Sequence, residues 1–360
     1  MTIRPGTIDE LREAVLAAPR LRIRGGGTKS LTIAGSTIDD WPTLDLSGLT
    51  GSVQHTPEEC TFTALAGTPV SEIEALLAAH GQYLPFDPPF VAAGATMGGT
   101  AASGVNGSGR YRFGGLRDFL IGARIVDGRG RLVASGGKVV KNAAGFLLHQ
   151  AMIGSGGHFG ILAELTFKVF PRAEAYSTVR ADAPDLPGAL RVLAAARSGR
   201  FDLEAADIDA PSTVWLRLGG ASQVLPDRID ALRRALDVPS DAFTGGEDEE
   251  VWRAAREFTW AAREAALVRV PLTTARVPEL DAMLAPAGAV RRYAIGGNVA
   301  FVTWPGDLQP LSDGLDGLGL TGQVVRGASS RPLIGHVVPN EFWRRVKDVM
   351  DPDGRFGGAD

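Results

Sequence analysis

The sequence predicts an α+β protein of two domains, and three observations in the 360-residue chain carry that reading. Glycine-rich segments follow or lead into apolar runs in the first half. Strand and amphipathic-helix patterns alternate around them. Beyond Pro171 those segments stop, and the chain twice reads strand, helix, strand.

The first expected element is a helix over residues 8–18, with Thr7 as N-cap and Glu10 at the capping-box position. A short strand over 21–24 runs into the first glycine segment, Arg24, Gly25, Gly26, Gly27, Thr28 and Lys29. Residues 61–65 alternate as a strand, Gly67-Thr68-Pro69 turns the chain, and Ile73, Leu76 and Leu77 mark one face of a helix reaching His80. The prolines of Leu84-Pro85-Phe86-Asp87-Pro88-Pro89 hold an extended backbone that leads into the second segment. That segment comprises Gly94, Ala95, Thr96, Met97, Gly98, Gly99, Thr100, Ala101, Ala102, Ser103 and Gly104, with a helix starting at Thr96. Residues 119–127 and 132–135 read as a hairpin closed by Gly128-Arg129-Gly130. The third segment, Gly154-Ser155-Gly156-Gly157-His158-Phe159-Gly160-Ile161-Leu162, opens a strand over 161–169. In the second half, strands over 177–180, 214–218, 267–271 and 300–304 accompany helices over 185–197 and 278–284. A helical stretch over 251–266 separates the halves, and a last helix covers 341–350. The expected division is a domain over 1–172, a second over 173–330, and an arm over 331–360 whose helix packs back on the body.

The chain is 44% hydrophobic and 22% charged, the composition of a globular protein with a substantial core. A net charge of −4 without a lysine-rich block offers no field for nucleic acid. The opening residues lack the apolar core of a signal peptide, and no segment has the ~18 uninterrupted apolar residues of a membrane span. A cytoplasmic protein is therefore expected, peripheral to a membrane only through partner subunits. Cys60 is the single cysteine, so neither a disulfide within the chain nor a cysteine-ligated cluster can form. His55, His80, His149, His158 and His336 never fall at ligand spacing, and no metal site is expected.

Successive glycines allow close backbone approach and can turn bare N–H groups toward anionic oxygens. One such segment is a turn; three imply an extended phosphate-containing ligand. None fits the G-x-G-x-x-G dinucleotide fingerprint between strand and helix, and Thr28-Lys29-Ser30 lacks the glycine and upstream spacing of a P-loop. A nicotinamide cofactor and nucleotide hydrolysis are both disfavoured. A Cβ branch at Gly26 or Gly98 is expected to fill the space of the ligand's diphosphate.

Several motifs in order carry a resemblance to a family. They are Ala66-Gly67-Thr68-Pro69, Gly81-Gln82-Tyr83-Leu84-Pro85-Phe86-Asp87-Pro88-Pro89, Gly94-Ala95-Thr96-Met97-Gly98-Gly99, Arg117-Asp118-Phe119-Leu120-Ile121-Gly122, Gly136-Gly137-Lys138-Val139-Val140-Lys141-Asn142-Ala143-Ala144-Gly145-Phe146, and the strand from Gly160 to Pro171. Together they resemble the FAD-binding domain of the vanillyl-alcohol oxidase (PCMH) type, and within it the E subunits of bacterial glycolate oxidases. The likeness is strong over residues 4–171 and weak in the second domain.

The resemblance implies a two-lobed FAD-binding domain followed by an α+β cap. Its cofactor-binding residues would be Arg24 to Lys29, Pro88, Gly94, Ala95, Thr96, Met97, Gly98, Gly99, Ala102, Ser103, Gly104, Gly154, Gly160 and Ile161. The first two segments would give backbone amides to the pyrophosphate and flavin ring, Gly160 and Ile161 would line the adenine-ribose or ring edge, and Lys138 and Lys141 could offset phosphate charge. The first segment lacks the histidine that covalent members carry, which implies non-covalent FAD. The implied role is an accessory subunit in oxidation of a small 2-hydroxy acid, glycolate to glyoxylate, beside a catalytic flavoprotein subunit and an iron–sulfur subunit. A stand-alone FAD-dependent 2-hydroxy acid dehydrogenase and a flavin-free structural subunit are the alternatives. Ala294-Ile295-Gly296-Gly297-Asn298-Val299 lacks the histidine and aspartate of the catalytic subunit's cap motif, and Phe146-Leu147 replaces the usual Tyr-Asp. No catalytic residue is assigned; Arg253, Arg256, Arg263, Arg269, Arg291 and Arg292 are candidates to clamp a carboxylate.

Overall fold

Thr7 starts the first helix, Ile8–Ala17, by accepting from the Glu10 amide at 3.1 Å. The Glu10 carboxylate turns back to the amide of Gly6 at 2.8 Å, one residue before the position expected of a capping box. The computed structural model describes residues 1–29, 40–137, 147–329, 331–338 and 341–357. Ser30, Lys138, Lys141 and Phe146 lie outside them.

Two lobes share one wall. In the first, the parallel strands Thr2–Ile3 and Arg22–Arg24 flank Thr43–Asp45. Leu11 and Val15 of the first helix pack there with Leu21, Leu44 and Leu49. In the second, an antiparallel sheet runs in the order Ser52–Thr56, Thr61–Leu65, Ile161–Lys168, Leu120–Val126, Leu132–Gly136. The expected hairpin is present, with Val126 opposite Leu132. Ile161–Lys168 sends Ile161 and Ala163 into the first lobe's core and Leu162, Leu165 and Phe167 into the second's. A strand buried on both sides reads as an apolar run, as this one does.

The second half of the chain forms a nine-stranded antiparallel sheet in the order Ser240–Thr244, Ala175–Asp182, Thr213–Gly220, Ala205–Asp209, Arg291–Ala294, Val299–Trp304, Ala266–Pro271, Thr321–Arg326, Leu333–Gly335. Helices Leu186–Ser198, Leu225–Leu236, Val277–Leu284 and Gln309–Gly317 cover one face through Leu193, Leu232, Leu280 and Leu315. From the other face Leu267, Val299, Phe301 and Val325 join the core of the second lobe. The strand-helix-strand pattern therefore found only part of one continuous sheet.

The helix expected over 251–266 is instead Gly246–Glu257. It stops because Phe258 adopts the left-handed conformation at φ 54°. That turn drives Phe258 into the interface, 5.0 Å from the Phe90 ring and 4.8 Å from Phe301. Aromatic packing at the seam overrides local helix propensity.

Helix Glu341–Met350 returns to the lobes, with Trp343, Val346 and Met350 against the core. The chain after it is tied to the first lobe. Arg355 donates to the carbonyls of Val15 and Ala18 at 3.1 and 2.7 Å and accepts from the Leu21 amide at 2.8 Å. Buried Asp351 organises this turn, accepting from the amides of Arg355 and Phe356 and from Lys347 Nζ. Asp351→Ala leaves the ammonium and two amides without their acceptor, and is expected to cost about 3–5 kcal/mol in urea unfolding. A loss below ~1 kcal/mol would show that the arm is not anchored this way.

Candidate functional site

Strand Arg22–Arg24 leaves the parallel sheet with the Arg24 guanidinium 3.0 Å from Asp45 Oδ2. Burial works against the Asp45 charge, but hydrogen bonds from the Ser47 hydroxyl and amide and from Arg24 hold its carboxyl below the ordinary range. The chain then crosses directly over the second glycine segment. A Cβ on Gly25 would come 2.6 Å from Thr96 Oγ1, and one on Gly26 would overlap the Gly94 carbonyl. A Cβ on Gly98 would lie 2.6 Å from Ala66 Cβ and 2.9 Å from its carbonyl. The expectation that branches at Gly26 and Gly98 would meet the ligand's diphosphate is corrected: they would meet protein first.

The backbone donors divide unevenly. In the second segment the Gly94 and Ala95 amides bond to the carbonyls of Val91 and Phe90, each at 3.0 Å. Met97 and Gly98 donate to Thr68 and Ala66 at 2.9 and 2.8 Å, and Gly99 donates to the Thr96 hydroxyl that caps helix Met97–Ser103. Gly104 donates to Thr100 and Ala101. In the third, Gly154 and Gly156 donate to Ala101 and Ala102 at 3.1 and 2.9 Å. By contrast, the amides of Gly25, Gly26, Gly27, Thr28 and Lys29 make no hydrogen bond among the described residues. The expectation that both the first and second segments donate amides is narrowed to the first, because tight packing has satisfied the named donors of the second.

These segments surround a cavity of about 380 Å³, within the ~300–1,000 Å³ of ordinary ligand sites. Arg24, Gly25, Gly26, Gly27, Thr28 and Lys29 form one side, Thr96, Gly98, Gly99 and Ala102 another, and Gly160 with Ile161 a third. Pro88, Gly94, Ala95, Met97, Ser103, Gly104 and Gly154 do not line it. Pro88, Ala95, Met97 and Ser103 are buried behind the wall. Sequence reasoning passed over Trp41, His158, Gly327 and Phe356, which are also among the lining residues. His158 sits inside the third glycine segment and could have been read from it; Gly327 and Phe356 arrive from distant parts of the chain and carry no local signal.

The wall is rich in unsatisfied donors. Among the described residues Lys29 Nζ bonds only to the Thr28 hydroxyl, at 3.3 Å, and it lies 5.4 Å from the centre of the Phe90 ring. Burial lowers its pKa to about 8, partly offset by Glu257. His158 Nδ1 is buried without a hydrogen-bond partner among the described residues. Burial, with Lys347 adding to it, lowers the His158 pKa, so the ring is neutral at pH 7. A line of free amides beside an ammonium with no hydrogen-bonded carboxylate fits a diphosphate, and the long apolar-and-glycine wall fits flat rings at its ends. FAD has that chemistry.

Most of the candidate cap arginines are engaged elsewhere. Arg253 pairs with Glu250, Arg256 with Glu74 at 2.7 Å, Arg291 with Asp281, and Arg292 with Asp207 and Asp209 at 2.8 and 2.7 Å. Arg263 is exposed.

Comparison with known proteins bears on this cavity. Residues 1–136 match the family described as FAD binding domain. The chain is 38% identical over 173 residues to the glycolate oxidase subunit GlcE of Escherichia coli (strain K12), covering 48% of this chain and 49% of that protein. It is 27% identical over 279 residues to D-lactate dehydrogenase (cytochrome) 1, mitochondrial, of Saccharomyces cerevisiae, covering 69% of this chain and 46% of that protein. The chain thus spans about half the length of these relatives. Among solved structures, an alkyldihydroxyacetonephosphate synthase superposes with a TM-score of 0.72 at 15% identity, over 99% of this chain and 76% of that one, which establishes a shared fold.

The Lys29 ammonium leads to a test without ligand. Its folded-state pKa of about 8 is below the ordinary 10.5, so desolvation penalises the folded protein most below pH 8 and is relieved as pH rises from 8 to 10.5. Lys29→Met should melt higher than the parent at pH 7 in the ligand-free state, with the gap closing toward pH 10.5. A ligand-free variant less stable than the parent at pH 7 would mean that the ammonium already has its counter-charge.

Proposed function

We propose that the protein, whose residues 1–136 match the FAD binding domain family, is the FAD-binding subunit of a glycolate oxidase-like complex that oxidises a small 2-hydroxy acid. The observation that carries the cofactor part is the run of free amides from Gly25 to Lys29 beside an ammonium without a hydrogen-bonded carboxylate. These groups would hold the diphosphate. Gly160 and Ile161 would flank the adenine-ribose end, while Thr96, Gly98, Gly99 and Ala102 form the wall against which the rest of the cofactor lies. Bound FAD would accept the hydride leaving C2 of the acid as its hydroxyl proton passes to a base.

The subunit reading is supported by the relative in Escherichia coli, itself named a subunit, and by a cap in which Ala294 to Val299 offers neither histidine nor aspartate. A catalytic flavoprotein subunit and an iron–sulfur subunit would be its partners. A division at residues 172 and 330 into FAD-binding domain, cap and C-terminal arm belongs to the same reading, as does a cytoplasmic location. Among the described residues no helix is long and apolar enough to cross a membrane. The second reading, a stand-alone 2-hydroxy acid dehydrogenase, is favoured by one observation: the likeness to the yeast D-lactate dehydrogenase extends over 69% of this chain, well into the cap.

Since the first glycine segment has no histidine, the flavin should be non-covalent, and acid precipitation should release the yellow colour into the supernatant. Colour retained by the pellet would contradict this. The isolated chain should reduce its flavin with glycolate or D-lactate far more slowly than an ordinary turnover of ~10 s⁻¹, and addition of partner subunits should restore the rate. Rapid anaerobic bleaching of the isolated chain would replace the subunit reading with the stand-alone enzyme.

A further inference from the structure

Arg269 differs from the paired cap arginines. It lies in strand Ala266–Pro271, two residues from Leu267 and opposite Phe301, both of which enter the core shared with the lobes. Its Nη1 donates to Gln323 Oε1 at 3.1 Å, and Gln323 Nε2 donates to the Ser103 carbonyl at 3.0 Å. Ser103 ends the helix on which Gly98, Gly99 and Ala102 line the cavity. A neutral amide thus fastens this guanidinium beside the cavity wall.

The charges around it have one sign. Among the described residues the only charged group acting on Arg269 is Arg110, at the start of helix Arg110–Phe113, and the only hydrogen bond of its guanidinium is the one to Gln323. Burial, reinforced by Arg110, lowers the Arg269 pKa to about 10, so it remains charged at pH 7. Both residues are half-buried. Guanidinium groups drawn from water ordinarily meet carboxylates, as Arg256, Arg291 and Arg292 do. The rest of the Arg269 donor fork is left for a ligand.

We infer that Arg269 forms a binding site for the carboxylate of a small organic acid at the seam between cap sheet and cavity, with Gln323 fixing its side chain and the Arg110 charge adding to the attraction. That this acid is the substrate rests on the function proposed above; anion binding as such does not. A planar guanidinium fork receives a carboxylate through paired hydrogen bonds, and a second cation beside it strengthens the pairing while relieving the mutual repulsion.

The test uses the flavin-loaded protein, titrated with oxalate and with uncharged oxamide while the flavin spectrum and the heat of binding are followed. Oxalate should bind at millimolar concentration and oxamide should not. Arg269→Met and Arg110→Met should each weaken oxalate roughly 10- to 100-fold, with FAD content unchanged, and Arg269→Lys should recover part of the loss. If Arg269→Met fails to fold, Arg110→Met and Arg269→Lys still decide. Oxalate binding that is absent from the parent, or equal in parent and variants, overturns the site. Loss of FAD from both methionine variants overturns it too, because the arginines would then serve a cofactor phosphate. Oxalate binding without turnover of any 2-hydroxy acid, alone or with partners, would remove the proposed function and leave the anion site. Turnover that these variants leave untouched would overturn the assignment of the substrate's carboxylate to this site while leaving the proposed function in place.

Discussion

The contact on which the site depends is the close approach of two glycine segments: Gly26 lies against the Gly94 carbonyl and Gly25 against the Thr96 hydroxyl, so closely that a Cβ on either would clash. That approach holds the first segment across the second, and among the described residues the amides from Gly25 to Lys29 have nothing to bond. Gly25, Thr28 and Lys29 are half-buried and Gly26 and Gly27 exposed, so this consecutive run of unpaired donors is open to an incoming ligand, whereas donors sealed inside a fold are almost always paired within it. The helix beneath makes the opposite arrangement. Its first amides are tied to Ala66 and Thr68, which makes it a rigid floor and removes it from the set of anion donors.

The same segment connects to the cap through aromatic rings. Lys29 sits over Phe90, Phe90 packs on Phe258, and Phe258 packs on Phe301 of the cap sheet. The cap helix that ends at Glu257 grips this chain from outside: the Arg256 carbonyl accepts from the Phe90 amide, Glu257 accepts from the Ala92 amide, and Arg256 reaches Glu74. Burial raises the Glu74 pKa, and the Arg256 charge opposes that rise. The first glycine segment, the interface and the cap are therefore packed as one continuous unit, and the Arg269–Gln323–Ser103 chain is a second tie between the same bodies.

What could be read from the sequence follows from how local each cause is. Thr7 as a cap, the hairpin around Gly128, the strand from Ile161 and the last helix each depend on neighbours within a few residues, and each is found in place. The glycine segments were legible as close approaches, but not what they approach: nothing local says that Gly98 faces Ala66 or that its amide is already bonded to the Ala66 carbonyl. The end of the helix at Glu257 was hidden because its cause is Phe90 and Phe301, far along the chain. Strands Arg291–Ala294 and Ser240–Thr244 were missed because arginines on one and acidic and polar residues on the other mask the alternation. Choosing among the cap arginines needed their carboxylate partners, which no spacing supplies.

The most direct measurement is calorimetric binding of ADP and of riboflavin to the flavin-free protein at low and high salt. If the free amides and Lys29 form a diphosphate cradle, ADP binds, its affinity falls as salt screens the charge, and riboflavin binds far more weakly than FAD. Riboflavin binding as tightly as FAD, with ADP neither binding nor competing, would contradict a site organised around the diphosphate.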